Sequence, residues 1–202
     1  HIEFSPIPVD SNTLIYGSLV SDEVEFYDIE EIDSANIPLR KFYLAKKQNG
    51  KWTSTGEYSD PTGVQYHHMG NGALSPDGNR FYFTQCRDNF QGKVICHLFF
   101  SEKENGKWGE PEKMNDQINL PNYTTTQPTI GRESKRNQEV VYFVSDRPDG
   151  KGGMDIWFTE YHARTKRFRE PKNAGAAVNT PGTEFTPFYD VSTHSLYFST
   201  DG

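Results

Sequence analysis

Pro128–Gly182 reads PTIGRESKRNQEVVYFVSDRPDGKGGMDIWFTEYHARTKRFREPKNAGAAVNTPG, and it holds one complete structural unit. Val140–Ser145 (VVYFVS) is β-branched and aromatic, as a buried strand should be. Asp146–Gly153 (DRPDGKGG) is saturated with turn residues, so the chain reverses there. Asp155–Glu160 (DIWFTE) supplies the next strand, and Arg164–Arg169 carries Phe168 into a third. Pro171 ends the pairing because it has no backbone donor, and Asn179-Thr-Pro-Gly182 makes the exit turn.

Outward from this unit the same pattern returns. Gly72–Gln85 contains the turn Ser75-Pro-Asp-Gly78 and the strand Phe81–Gln85; Val94–Glu102 follows. Asn105-Gly-Lys-Trp108 is an Asn-Gly turn into a tryptophan, and Ile118–Pro121 is the exit. Earlier, Leu14–Ser18 and Lys41–Lys47 read as strands, and Asn49-Gly-Lys-Trp52 repeats the turn. Asp22–Asp33 is acidic, with weak alternation that fits a strand plus loop or a surface insertion. A further copy begins at Phe185. The strand centres Ile15, Tyr82, Tyr142 and Tyr197 are separated by 67, 60 and 55 positions; Trp52, Trp108 and Phe168 by 56 and 60. Two independent markers therefore share one drifting period. Units of this kind, each with four strands, are the mark of a propeller blade. No window sustains a 3.6-residue apolar period, which excludes a helical solenoid.

The expected fold is all-β: a β-propeller of four-stranded antiparallel blades, about three and a half of them, at 1–66, 67–126, 127–184 and 185–202. Trp52, Trp108, Trp157 and Phe168 are expected to pack between or within blades. An open half-ring would expose the faces and strands of its terminal blades, so a larger ring, completed by residues outside this stretch, is expected, with pairing to a second copy as the alternative.

Composition agrees. Hydrophobic content is 34% and aromatic content 14% across 202 residues, which suits short, half-buried strands whose burial falls to Phe, Tyr and Trp. The net charge of −7 argues against a nucleic-acid partner. No run of 18 apolar residues exists, so no helical membrane insertion is expected. HIEFSPIPVD lacks the basic and apolar regions of a signal peptide, as a mature secreted protein would too.

Cys86 and Cys96 flank the turn DNFQG between two strands. Their spacing leaves two readings open: a disulfide across the hairpin, or two buried thiols acting as small apolar residues. Asp146, Asp149 and Asp155 surround Gly150, Gly152 and Gly153, but do not fit a calcium loop. Asp146, Arg147 and Asp155 are expected to tie the hairpin ends by side-chain to backbone bonds. Tyr66-His67-His68-Met69 could join Cys96-His97 or His162 at a zinc ion only in a loop, and no further ligand spacing supports it. No nucleophile elbow, P-loop or dinucleotide fingerprint is present, so no catalytic residue, metal or cofactor is assigned. Carboxylates are plentiful, so a glycosidase pair is not excluded by counting. The between-unit connections are the expected recognition face, with His67, His68, Tyr123, Thr124, Glu184 and Phe185 as partner-binding candidates.

At Ser75-Pro-Asp-Gly78, Tyr142–Arg147, Gly152–Trp157 and Trp108–Pro111 the chain resembles the Pro-Asp type of WD40-like β-propeller repeat, as in the TolB propeller. The run YFxSDRP, GGxDIW, EP, NTPG is similar to propellers in envelope proteins of Bacteroidetes, including OmpA-family proteins and components of the type IX secretion and gliding machinery. The resemblance implies a non-catalytic protein-binding or scaffolding module, periplasmic and outer-membrane associated. Its partners would be proteins of the envelope assembly, and peptidoglycan would be met only through a separate domain. The alternatives are a propeller domain of a glycoside hydrolase or peptidase, and a purely structural spacer.

Overall fold

The computed structural model describes residues 2–19, 39–63, 68–88, 92–133 and 138–202. The acidic segment Asp22–Asp33, His67 and most of the DNFQG turn lie outside them.

The fold is all-β, and no helix occurs among the described residues. The first sheet orders β1 (Ile2–Asp10), β2 (Thr13–Leu19), β3 (Arg40–Gln48) and β4 (Lys51–Glu57) as antiparallel neighbours. The second holds β5 (His68–Leu74), β6 (Arg80–Asp88), β7 (Val94–Glu104) and β8 (Lys107–Trp108), with β9 (Glu112–Lys113) also on β7. The third repeats this plan with β10 (Thr125–Glu133), β11 (Gln138–Ser145), β12 (Asp155–His162), β13 (Arg167–Phe168) and β14 (Lys172–Asn173), the last on β12. The fourth comprises β15 (Glu184–Asp190) and β16 (Ser195–Thr200).

The second and third sheets each bury one face on their predecessor and the other on their successor. Phe81 and Phe83 point from β6 to the first sheet, where they meet Ile7, Ile15 and Phe42; the Phe42 and Phe81 rings meet edge-on at 5.2 Å. Tyr82, between them in the strand, faces the third sheet and joins Leu98, Ile130, Val141, Phe143 and Trp157. Strand alternation makes both faces apolar at once. Tyr142 continues the series by stacking on Tyr189 of the fourth sheet at 5.7 Å. Burying each such side chain stabilises by roughly 1.5–3 kcal/mol.

Trp157 and Phe168 lie in or against this core, and Trp108 packs on the cluster between the first two sheets. Trp52 differs from expectation: it is 46% exposed. It lies with Phe4, Leu14 and Tyr16 around a groove on the face of the first sheet that no described sheet covers.

The first strands of successive sheets are neighbours: β1 lies beside β5, β5 beside β10, and β10 beside β15. All four share a bulge at the equivalent position, and β1 has a second between Pro8 and Asp10. The register jumps between Phe4 and Ile7, Gly70 and Gly72, Thr126 and Thr129, and Phe185 and Phe188. In each, a non-glycine residue takes positive φ: Ser5 (51°), Asn71 (46°), Gln127 (55°) and Thr186 (51°). Pro6, Pro128 and Pro187 follow three of them. Proline cannot donate to the ladder, so a bulge is where a strand admits it. The bulge turns a backbone N–H toward the preceding sheet. Gln127 N donates to Thr84 Oγ1 (3.1 Å), and Thr186 N donates to the side-chain oxygen of Gln127 (2.6 Å). The strained residues thus join one sheet to the next.

Candidate functional site

The connections between sheets gather at the end where β5, β10 and β15 begin, and polar side chains hold them there. Asn119 lies in the exit from the second sheet and is fully buried. Its Oδ1 accepts from Leu98 N (2.8 Å), and its Nδ2 donates to Leu98 O (2.8 Å) and Met114 O (2.9 Å). Asn179 repeats this in the third sheet, bonding Ile156 N (2.8 Å) and Ile156 O (2.9 Å). Each amide stands in for a missing neighbour strand beside β7 or β12, which satisfies buried backbone groups. Sequence reasoning placed both residues in the exit turns but assigned them no such role. The signal was present as Asn119-Leu-Pro121 and Asn179-Thr-Pro181, sixty positions apart.

Of the expected hairpin network, Asp155 ties its own turn. It is buried and accepts from Lys151 N and Gly152 N (3.2 Å) and from Asn173 Nδ2 (3.0 Å). Gly152 is required because a Cβ there would fall 2.0 Å from Gly182 O. The turn is pressed on the next connection, where Gly153 N donates to Gly182 O (2.8 Å). Asp146 and Arg147 act elsewhere. Asp146 Oδ1 accepts from Thr124 N (2.6 Å) at the entry to β10, and Asp201 does the same for Thr183 N (2.6 Å) at the entry to β15.

Arg147 turns inward and is 7% exposed. It donates to Gln117 O (3.0 Å), Ile118 O and the Ser145 hydroxyl (3.2 Å). Its guanidinium lies 5.0 Å from the ring centroids of both Phe143 and Trp157. No carboxylate pairs with it among the described residues, and burial pushes its pKa down to about 10.

Cys86 and Cys96 face each other across β6 and β7 and form a disulfide. It closes a short loop of sequence separation 10, so the entropic contribution is about 3 kcal/mol. Reduction, or the double substitution Cys86→Ser/Cys96→Ser, is expected to lower the denaturation midpoint accordingly. A thermal melt with and without reductant reads it, and unchanged midpoints would contradict the bridge.

The six partner-binding candidates fare differently. His67 lies outside the described residues. His68 is half-buried opposite Cys86, and its Nδ1 accepts from Arg40 N (3.3 Å). Thr124 is occupied internally: its N–H serves Asp146, its Oγ1 accepts from Cys96 N (3.4 Å), and its carbonyl accepts from Ser145 (2.7 Å). Glu184 is fully buried, held by Thr180 (2.5 Å) and Thr200 (2.8 Å), so no partner can touch it as it stands. The ladder explains why: Glu184 pairs with Thr200 as Thr125 pairs with Ser145, and that position points inward. Tyr123 is half-buried, and Phe185 is 36% exposed; both offer aromatic surface at the connections.

The suggested zinc ligands are dispersed. Cys96 is consumed by the disulfide, His97 is buried beside it, and His162 lies at the far end of β12. Burial, then the charge of Lys113, lowers the His97 pKa. Among the described residues no three His, Cys, Asp or Glu side chains are grouped to hold a metal. The carboxylates whose protonation is displaced, Asp10, Asp77, Glu102 and Asp190, all move downward. A general acid for glycoside cleavage needs the opposite shift.

No family model matches the chain, and no curated protein matches it. Among solved structures it is similar to an alpha-L-arabinofuranosidase from Lactobacillus brevis, with a TM-score of 0.53 and 9% sequence identity over 93% of this chain. The match covers 61% of that enzyme's chain. At this identity the likeness concerns the fold alone.

Proposed function

We propose that the four sheets are consecutive blades of a β-propeller and that the chain is a non-catalytic protein-binding or scaffolding module of the bacterial cell envelope. One observation carries the propeller reading: four first strands lie side by side, each bulged at the same register and each followed by a sheet packed face to face on the last. Strands so placed line a common axis, with later strands lying further out. The envelope setting rests on the resemblance to Pro-Asp repeats of Bacteroidetes envelope proteins, including those of type IX secretion and gliding. The disulfide fits an oxidising compartment, and the periplasmic, outer-membrane-associated location is taken from that resemblance. The partner is a protein, met at the connection end through His68, Tyr123 and Phe185, with His67 adjoining in sequence. Rigid sheets clamped by Asn119, Asn179 and Arg147 would display these groups without rearrangement.

A second reading, a glycoside hydrolase domain, is favoured by the likeness to the arabinofuranosidase. One experiment separates them. Immobilised chain is incubated with envelope extract, and soluble chain with arabinofuranosides and a glycan and peptide panel. Specific capture of an envelope protein, lost in a Tyr123→Ala/Phe185→Ala variant and without hydrolysis, is the expected result. Hydrolysis with nothing captured would overturn the binding reading, and inertness in both assays would leave a structural spacer.

A further inference from the structure

The outer edges of the first three sheets are finished differently. In the second sheet the edge on β7 is two short pieces, β8 and β9, broken at Gly109-Glu110-Pro111. In the third, β13 and β14 on β12 are broken at Arg169-Glu170-Pro171. Hydroxyls fill these breaks: Ser101 donates to Gly109 O (2.7 Å), and Thr159 donates to Arg169 O (2.6 Å). A proline and a filled carbonyl leave little for another strand to pair with.

The first sheet has no such break. Its edge, β4, lies beside β3, contains no proline, and all seven of its residues are exposed. The turn Asn49-Gly50 sets its phase, with both residues at the positive φ that a tight hairpin needs. Lys51 then exchanges hydrogen bonds with Gln48, and Thr53 with Lys46, so the N–H and C=O of Trp52 and Ser54 point away from β3. Those groups bond no other backbone among the described residues. A bulge at Thr55 ends this regular stretch.

The surrounding side chains say what would pair there. β3 and β4 carry Arg40, Lys41, Lys46, Lys47 and Lys51 against Glu57 alone, in a chain of net charge −7. Glu57 is held by Lys41 (2.9 Å), and Asp10 lies near Lys46. Lys47 and Lys51 pair with no carboxylate among the described residues. Such an edge repels a second copy of itself and attracts an acidic strand. Trp52 and Ser54 also border the open groove of about 370 Å³ that Phe4, Leu14 and Tyr16 line. In a strand added beside β4, side chains opposite Trp52 and Ser54 would fall over this groove. Those opposite Lys51 and Thr53 would fall on the other face, which Lys46 shares through its pairing with Thr53. Acidic residues alternating with apolar ones suit both faces at once.

We propose that β4 is a docking edge for an extended acidic peptide. The peptide adds as a further strand, with apolar side chains over the Trp52 groove and carboxylates at Lys46 and Lys51. This goes beyond the binding face at the connections and does not rest on it. The full chain is titrated with acetyl-Asp-Val-Asp-Val-Asp-Val amide and with its Lys-Val counterpart, followed by backbone amide NMR and sedimentation. The expected result is saturable binding of the acidic peptide, weakened by salt, with slowed hydrogen exchange at the Trp52 and Ser54 amides. Ser54→Pro removes an N–H that the pairing with β3 does not use, so the fold remains and binding is lost. Ser54→Ala keeps that N–H and binds as the parent does. Lys46→Glu/Lys51→Glu, which touches no ladder hydrogen bond, weakens binding at least about tenfold. Tyr123→Ala/Phe185→Ala changes nothing, so this proposal and the reading of the connections fail separately. The proposal is overturned if the acidic peptide does not saturate, if the Lys-Val peptide binds equally well, or if folded Ser54→Pro or the charge-reversed chain binds as tightly as the parent. It is also overturned if concentration-dependent self-association protects the Trp52 and Ser54 amides without peptide, which would make the occupant a second copy.

Discussion

Arg147→Ala lowers the folding free energy by about 3 kcal/mol, read as a reduced urea midpoint at unchanged slope. The substitution removes the guanidinium donor from Gln117 O and leaves Ile118 O with the Thr125 hydroxyl alone (3.0 Å). Losing hydrogen bonds from a charged donor costs about 1.5–3 kcal/mol. It also removes a cation from between Phe143 and Trp157. Against these losses, the folded chain no longer bears the burial of an uncompensated charge, the burden that pushes the Arg147 pKa down to about 10. The losses exceed this relief because one planar fork serves three separate acceptors and fills the space between two rings. Arg147→Lys therefore does not restore stability, since an ammonium cannot span the acceptors in the same plane. Arg147→Met keeps the apolar stem and separates packing from hydrogen bonding. An Arg147→Ala chain as stable as the parent would show that the guanidinium does not hold the connection to β10.

Asn119→Asp is the second large effect, and it carries a pH signature. The retained oxygen can still accept from Leu98 N, but the lost amide hydrogens faced Leu98 O and Met114 O. At neutral pH an anion would be set against two carbonyls in a fully buried place. We expect a loss of about 3 kcal/mol or more. Burial and the carbonyls raise the folded-state pKa of the introduced carboxyl above its unfolded value. Its protonated form can donate to one carbonyl again. The variant's stability is therefore recovered below the unfolded pKa and lost as pH rises through the folded one. Urea melts across this range, compared with Asn119→Ala, distinguish an amide that completes a strand from one that only fills space. Asn119→Ala has no titrating group there and should show no such recovery.

Much of the secondary structure was legible because its signals are local. VVYFVS and DIWFTE became β11 and β12, and the turns Asn49-Gly50 and Asn105-Gly106 adopt the positive φ that Asn-Gly favours. The recurrence of Tyr82 and Tyr142 corresponded to equivalent faces of successive sheets. The candidate site was less legible. Glu184 and Thr124 looked like loop residues on a recognition face, yet one is buried and the other is bonded on three sides. Their positions depend on ladder register, and a shift of one residue exchanges inside for outside. Asn119 and Asn179 were missed because their partners, Leu98 and Ile156, lie more than twenty residues away.

The chain's own order of residues determined that it is built of short antiparallel strands in a recurring unit, because alternation, β-branching and glycine or asparagine at turns act over a few neighbours. Only the tertiary structure decided that Arg147 points inward, that Cys86 meets Cys96, and that Trp52 stays on an open face. The first and last depend on which sheet packs against which, and the second on the register between β6 and β7. A buried polar atom is satisfied, or left wanting, by whatever the packing brings to it from elsewhere in the chain.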